Sequence, residues 1–242
     1  MSDNRIPNVL SARLRSPLHA FELDKQLRQP DAADGVVLSE LPNLGYVILR
    51  GRANDAAFMQ AVAGVLGQSL PTVPSTYLVT EAGVVQWMSP DEWWLLCSRE
   101  RRDALLAGLA AALQSQFAQV VDNSGGHAAL RLSGPRHMLL LRHLGPYDFE
   151  SLKVGQAVST VMAKATVSVL RTDTKGVVLL FRRSFADYFW RLLTRTARPY
   201  GMCVTEPAAH PDPVVTPLLT GGKPGSGKPR TDTSKTKLVS AS

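Results

Sequence analysis

Phosphate binding is the first chemistry that residue spacing in this chain offers, because Gly222 to Pro229 reads Gly-x4-Gly-Lys. A working phosphate loop needs a Ser or Thr hydroxyl after the lysine for magnesium, a strand before it and a helix after it. Pro229 stands at the hydroxyl position and the surroundings are rich in proline, so the segment reads as a flexible basic tail. His137 and His143 are six residues apart on one helix, point in different directions, and cannot share a metal ion unaided. His19, His127 and His210 have no Cys or carboxylate at ligand spacing, and all five histidines read as surface or packing residues. Cys97 and Cys203 match no metal or redox spacing, and Cys97 after Leu95-Leu96 reads as a buried thiol. Asp91-Glu92 are the remaining acid candidates. They follow Ser89-Pro90, where a carboxylate fixes a turn by accepting from backbone N–H groups. Ser89 and Glu92 also have capping-box spacing, which suits one helical turn at that corner. A catalytic acid needs a desolvated partner, and the sequence names none.

The elements that would position these groups are clearer. Val84 to Cys97 holds three of the four tryptophans around the Ser-Pro-Asp-Glu corner. Aromatic and β-branched runs flanking a Pro-Asp turn form a hairpin whose rings pack into a core. Trp93 and Trp94 point to opposite faces of one strand. Two readings stand side by side. Either one tryptophan lies outside the core and, with Arg182 and Arg183, anchors a partner chain, since Trp and Arg are enriched at interface centres. Or both rings are buried in a sheet covered on both faces.

Leu44 to Gly51 reads as a strand. Asn54 caps a helix whose face is Phe58, Val62, Val65 and Leu66, and Gly67 ends it. Asp103 to Phe117 is a second helix, with Leu105, Leu109, Leu113 and Phe117 at four-residue steps. Gly125 to Leu132 is a turn running into a strand. Ser133 opens a helix with Pro135 in its first turn, and Gly145-Pro146 closes it. Along Lys164 to Leu170, Ala165, Val167 and Val169 face one way and Thr166 and Ser168 the other. Val177 to Phe181 is a further strand, and Ser184 caps a last helix faced by Phe185, Phe189, Leu192 and Leu193. The pattern predicts an α+β fold of two similar sheet-and-helix halves, residues 36–120 and 127–200, with helices covering one face of a largely antiparallel sheet. Residues 1–15 read as a flexible N-terminus and 16–205 as the folded domain. Residues 206–242, rich in Pro, Gly and Lys, read as a disordered tail.

Composition bounds the function classes. The chain has 242 residues, 45% hydrophobic and 19% charged, which suits a folded domain with a real core. Its net charge is +7. The segment from Pro217 onward carries five Lys and Arg against Asp232 alone, so the body is only mildly basic and gives little cause to expect a nucleic-acid partner. No apolar leader precedes a small-residue cleavage site, and the apolar runs are too short to span a bilayer. A soluble protein of the reducing cytoplasm, without nucleic-acid or membrane partners, is the expectation.

Several stretches occur together in order: Ser16-Pro17-Leu18, the Trp-x-x-Pro-Asp-Glu-Trp corner from Trp87 to Trp93, and Leu132-Ser133-Gly134-Pro135. Val169-Leu170-Arg171 follows, then Arg182-Arg183-Ser184-Phe185-Ala186-Asp187-Tyr188-Phe189-Trp190. Together they resemble the γ subunit of heterotetrameric sarcosine oxidase. The resemblance implies a fold like the folate-binding domain of aminomethyltransferases. It implies an α subunit binding NAD and tetrahydrofolate, a β subunit with FAD and covalent FMN, and a small zinc-binding δ subunit. It implies an oxidoreductase complex that converts sarcosine to glycine, passes the one-carbon unit to tetrahydrofolate and forms hydrogen peroxide. It assigns this chain no cofactor and no catalytic or metal residue. The equivalent subunit of an N-methylglutamate dehydrogenase, and an independent folate-binding aminomethyltransferase-like protein, are the alternatives.

Overall fold

A computed structural model describes residues 15–224 of the chain. Residues 1–14 and 225–242 lie outside it, and with them most of the proposed flexible N-terminus and the basic end of the tail.

After two short 3-10 turns, His19–Phe21 and Leu23–Gln26, the chain runs β1 (Val36–Glu40), β2 (Leu44–Arg50) and α1 (Ala56–Leu66). It continues through β3 (Tyr77–Thr80), β4 (Gly83–Ser89), β5 (Glu92–Ser98), α2 (Arg102–Ala112) and β6 (Gln119–Asp122). Then come β7 (His127–Ser133), α3 (His137–Leu144), β8 (Gln156–Met162), β9 (Ala165–Arg171) and β10 (Gly176–Arg182). Helix α4 (Ala186–Ala197), β11 (Met202–Val204) and a 3-10 turn at Thr216–Thr220 complete it. One sheet has the order β11-β1-β7-β10-β9-β8 and the other β3-β4-β5-β2-β6. Every pairing is antiparallel except β1 with β11.

The two sheets face each other. Leu44, Tyr46, Val84 and Leu96 from one pack on Ala129, Leu170, Val178 and Leu180 from the other. Helices α1 and α2 cover the far side of the five-stranded sheet through Phe58, Val62, Leu105 and Leu109. Helices α3 and α4 cover the far side of the six-stranded sheet through Leu140, Leu141, Phe189 and Leu193. The result is helix, sheet, sheet, helix. Helices cover one face of each sheet, as expected, and the other face of each is covered by the second sheet. This explains why β10 reads as an unbroken apolar run. Val177, Leu179 and Phe181 enter the helix-side core, while Val178 and Leu180 enter the core between the sheets.

The two halves are real, but β1 does not belong to the first. It pairs with β7, Val37 opposite Ser133 and Leu38 opposite Leu132, so the first strand is inserted into the second half's sheet. Helix ends also move. The α1 cap is Asp55, not Asn54, and its Oδ1 accepts from the N–H groups of Ala57 at 3.0 Å and Phe58 at 3.2 Å. Gly67 ends α1 as expected, at φ 77°. Helix α2 stops at Ala112 so that the chain can return as β6 beside β2, and this leaves Phe117 87% exposed. Ser133 is the last residue of β7 and opens no helix. Gly134 follows at φ 98°, so close to Gly35 that an added Cβ would lie 2.7 Å from its carbonyl oxygen. Ser184 lies in a 3-10 turn ahead of α4 and makes no cap bond.

The tail begins later than residue 206. Asp212, Val214, Val215 and Leu218 are buried, and the three apolar side chains complete one end of the core between the sheets.

Candidate functional site

The Trp corner is a hairpin with no helical turn. β4 and β5 are joined through Pro90-Asp91, and Trp87 pairs with Trp93. Ser89 donates its hydroxyl to the Asp91 carboxylate at 2.6 Å, and Arg50 reaches the same carboxylate at 3.0 Å. Both hold the Asp91 carboxyl below its ordinary value, Ser89 more than Arg50. Glu92 accepts from the Trp94 indole N–H at 2.8 Å. Each acid is engaged in the turn, so the capping-box geometry does not form.

The two adjacent tryptophans separate. Trp93 is 0% exposed, donates its indole N–H to the Pro71 carbonyl at 2.8 Å and stands 5.8 Å from the Phe58 ring. It offers no surface to a partner. Trp94 crosses to the other face, where its ring lies 4.5 Å from His127 of β7, with Tyr46 5.5 Å from the same imidazole. Trp93 is thus buried in the helix-side core, while Trp94 stays partly exposed on the other face. Arg182 and Arg183 are exposed at the end of β10. The Arg183 N–H bonds Gly126 and its guanidinium donates to the Arg15 carbonyl at 3.1 Å.

His127 is the most strongly shifted histidine. Burial, and secondarily the charge of Arg182, push its pKa down to about 4. Its folded value lies below the unfolded value near 6.5, so its contribution to stability is present above pH 6.5 and is lost as pH falls toward 4. Replacing His127 by Gln should flatten the loss of thermal stability across that window, worth roughly 3 kcal/mol, in melting curves recorded from pH 7 to pH 4. An unchanged acid limb in the variant would show that His127 is not the group responsible. His137 bonds the Gly134 carbonyl through Nδ1 at 2.7 Å, and His143 bonds the Tyr200 hydroxyl at 2.6 Å, so the pair separates as the helix geometry requires. Burial raises the Cys97 thiol to about 11, and Cys203 is also buried. Among the described residues no group of three or more His, Cys, Asp or Glu is placed to hold a metal ion, and no helix is long and apolar enough to cross a membrane.

A charged cluster that sequence reading missed lies at one end of the core between the sheets. Arg131 of β7, 2% exposed, donates to Asp212 at 2.5 Å and to Asp173 at 2.7 Å. Asp212 is 0% exposed; the Thr172 hydroxyl donates to the same oxygen as Arg131, and the other oxygen accepts the N–H groups of Val214 at 2.9 Å and Val215 at 2.7 Å. The pairs join three parts of the chain far apart in sequence. A single clue was available, an arginine between Leu130 and Leu132 in an otherwise apolar strand. Apart from the Arg131 Nε, which is buried without a partner, these groups tie the C-terminal segment to the sheets. This arrangement serves docking rather than turnover.

The model for the family described as "Sarcosine oxidase, gamma subunit family" matches residues 50–198. A protein named sarcosine oxidase subunit gamma from Arthrobacter is 32% identical, over 78% of this chain and 91% of that protein. One of the same name from Corynebacterium strain P-1 is 31% identical over the same shares. Among solved structures, a chain of heterotetrameric sarcosine oxidase from Corynebacterium U-96 superposes with a TM-score of 0.68 at 27% identity, covering 77% of this chain and 96% of that one. The glycine cleavage system aminomethyltransferase T of Bartonella henselae superposes with a TM-score of 0.59 at 15% identity, covering 83% of this chain and 61% of that one. The second likeness is one of fold alone.

Proposed function

This chain belongs to the sarcosine oxidase γ subunit family, and we propose that it serves as a non-catalytic structural subunit of a heterotetrameric sarcosine oxidase. The observation that carries the reading is 32% identity spanning 91% of the length of a named γ subunit. In this reading the assembled complex demethylates sarcosine to glycine, hands the one-carbon unit to tetrahydrofolate and forms hydrogen peroxide. FAD, FMN, NAD, tetrahydrofolate and zinc then belong to the α, β and δ partners, and this chain holds none of them. The local chemistry is compatible. Asp91, Glu92, Asp212 and Arg131 are each engaged in structural bonds. Two buried, unpaired thiols suit the reducing cytoplasm as the compartment.

Co-expression tests the proposal. With a tag on this chain, flavin-containing partners are expected to co-elute in fixed ratio and to release hydrogen peroxide from sarcosine. The proposal fails if the chain elutes alone while the remaining subunits assemble and turn over sarcosine unimpaired. Turnover of N-methylglutamate instead would reassign the substrate, and micromolar binding of tetrahydrofolate by the isolated chain would make it a folate-binding protein.

A further inference from the structure

A cavity of about 220 Å3 opens where the β6–β7 turn, the β1–β2 turn and the N-terminal segment meet. Four arginines line it, Arg15, Arg99, Arg102 and Arg183, against one carboxylate, Asp122. That carboxylate is already committed. Burial pushes its pKa up, but bonds from Ser124 and the charges of Arg102 and Arg99 outweigh this and hold it below the ordinary value. Arg102 is shared between Asp103 at 2.7 Å and Asp122 at 3.6 Å. Among the described residues Arg99 and Arg183 have no carboxylate partner, so the cavity carries an excess of positive charge over the described carboxylates.

His127 forms part of the wall. His127 is 8% exposed, and its ring is held against Tyr46 and Trp94. The Asn123 amide nitrogen, 3.3 Å away, donates to Nδ1, which leaves the proton of the neutral ring on Nε2. That Nε2 is buried without a hydrogen-bond partner. Unmatched guanidinium groups around one cavity lack an acceptor carrying negative charge. At ~30 Å3 per water in the liquid, the volume admits an anion the size of phosphate or a small dicarboxylate.

We propose that this cavity is a binding site for a small oxyanion, a phosphate or carboxylate group, held by Arg99 and Arg183. The site is independent of the proposed role in the oxidase. Its test is titration of the full-length chain, at low ionic strength, with inorganic phosphate in one arm and succinate in the other, read by calorimetry. Saturable binding is expected in at least one arm, and the arm that binds tighter distinguishes phosphate from carboxylate. Arg99→Gln and Arg183→Gln should each weaken it at least about tenfold. Arg195→Gln, on the exposed face of α4, should leave it unchanged. Among the described residues the Arg99 side chain makes no hydrogen bond, so the unliganded Arg99→Gln chain should melt within a few degrees of the parent. Absence of saturable binding in both arms, or equal affinity in Arg99→Gln and the parent, overturns the site.

Discussion

Asp212→Ala is expected to destabilise the chain by about 3–5 kcal/mol, because it leaves the Arg131 guanidinium buried without its nearest counter-charge. At roughly 2–4 °C per kcal/mol for a domain of this size, the melting temperature should fall by roughly 6–20 °C. Arg131 is 2% exposed and cannot swing into water without opening the sheet packing. Asp173 remains within 2.7 Å but is itself partly solvated, so it offsets only a fraction of the loss. The same change also removes the acceptor for the N–H groups of Val214 and Val215. Two further chains separate charge from packing. Replacing Arg131 by Met and Asp212 by Leu together should recover much of the loss, since paired apolar side chains often match a buried ion pair. Ending the chain at Glu206 should be at least as damaging as Asp212→Ala, while ending it at Pro224 keeps every contact described here. A shift of less than about 2 °C in Asp212→Ala would refute the docking account.

Trp93→Ala should cost about 3–5 kcal/mol in denaturant unfolding, the range for removing a large ring from a packed interior. The ring fills the space between the five-stranded sheet and α1, and its N–H is matched by the Pro71 carbonyl. Trp94→Ala should cost much less, about 1–2 kcal/mol, because that ring is partly exposed, against His127 and the Glu92 carboxylate. Equal costs would contradict the placement of the two rings. If Trp94 also anchors a partner, Trp94→Ala should weaken co-elution out of proportion to its effect on stability.

The hairpin from Val84 to Cys97 was legible because its alternation and its Pro-Asp corner are local properties of the chain. So were the apolar faces of α1 and α4, most of that of α2, and the stop at Gly67. What misled were boundaries set by distant contacts. Phe117 continues the helical spacing of Leu105, Leu109 and Leu113, yet the helix ends earlier because β6 must lie against β2. Ser133 has the composition of a cap but completes a strand paired with β1 and β10. Asp212 sits among prolines in a stretch of disordered composition, and its reason for being ordered is Arg131, 81 residues away.

By itself the sequence determined the α+β class, the two-halved plan, the identity of most strands and helices, and the family through its ordered signature. Those follow from periodicity and turn chemistry, which act over a few residues, and from the pattern as a whole. Only the tertiary structure decided which sheet takes β1, which face of β5 is interior, where the C-terminal segment docks, and that four arginines converge on one cavity. Each of these depends on pairing between residues far apart in the chain. Sheet register and charge burial choose among such pairings by packing and desolvation, and neither leaves a mark on local spacing. The tryptophan pair shows both sides of this. Alternation put Trp93 and Trp94 on opposite faces, and the stacking of two sheets decided that Trp93 lies in the core and Trp94 at its edge.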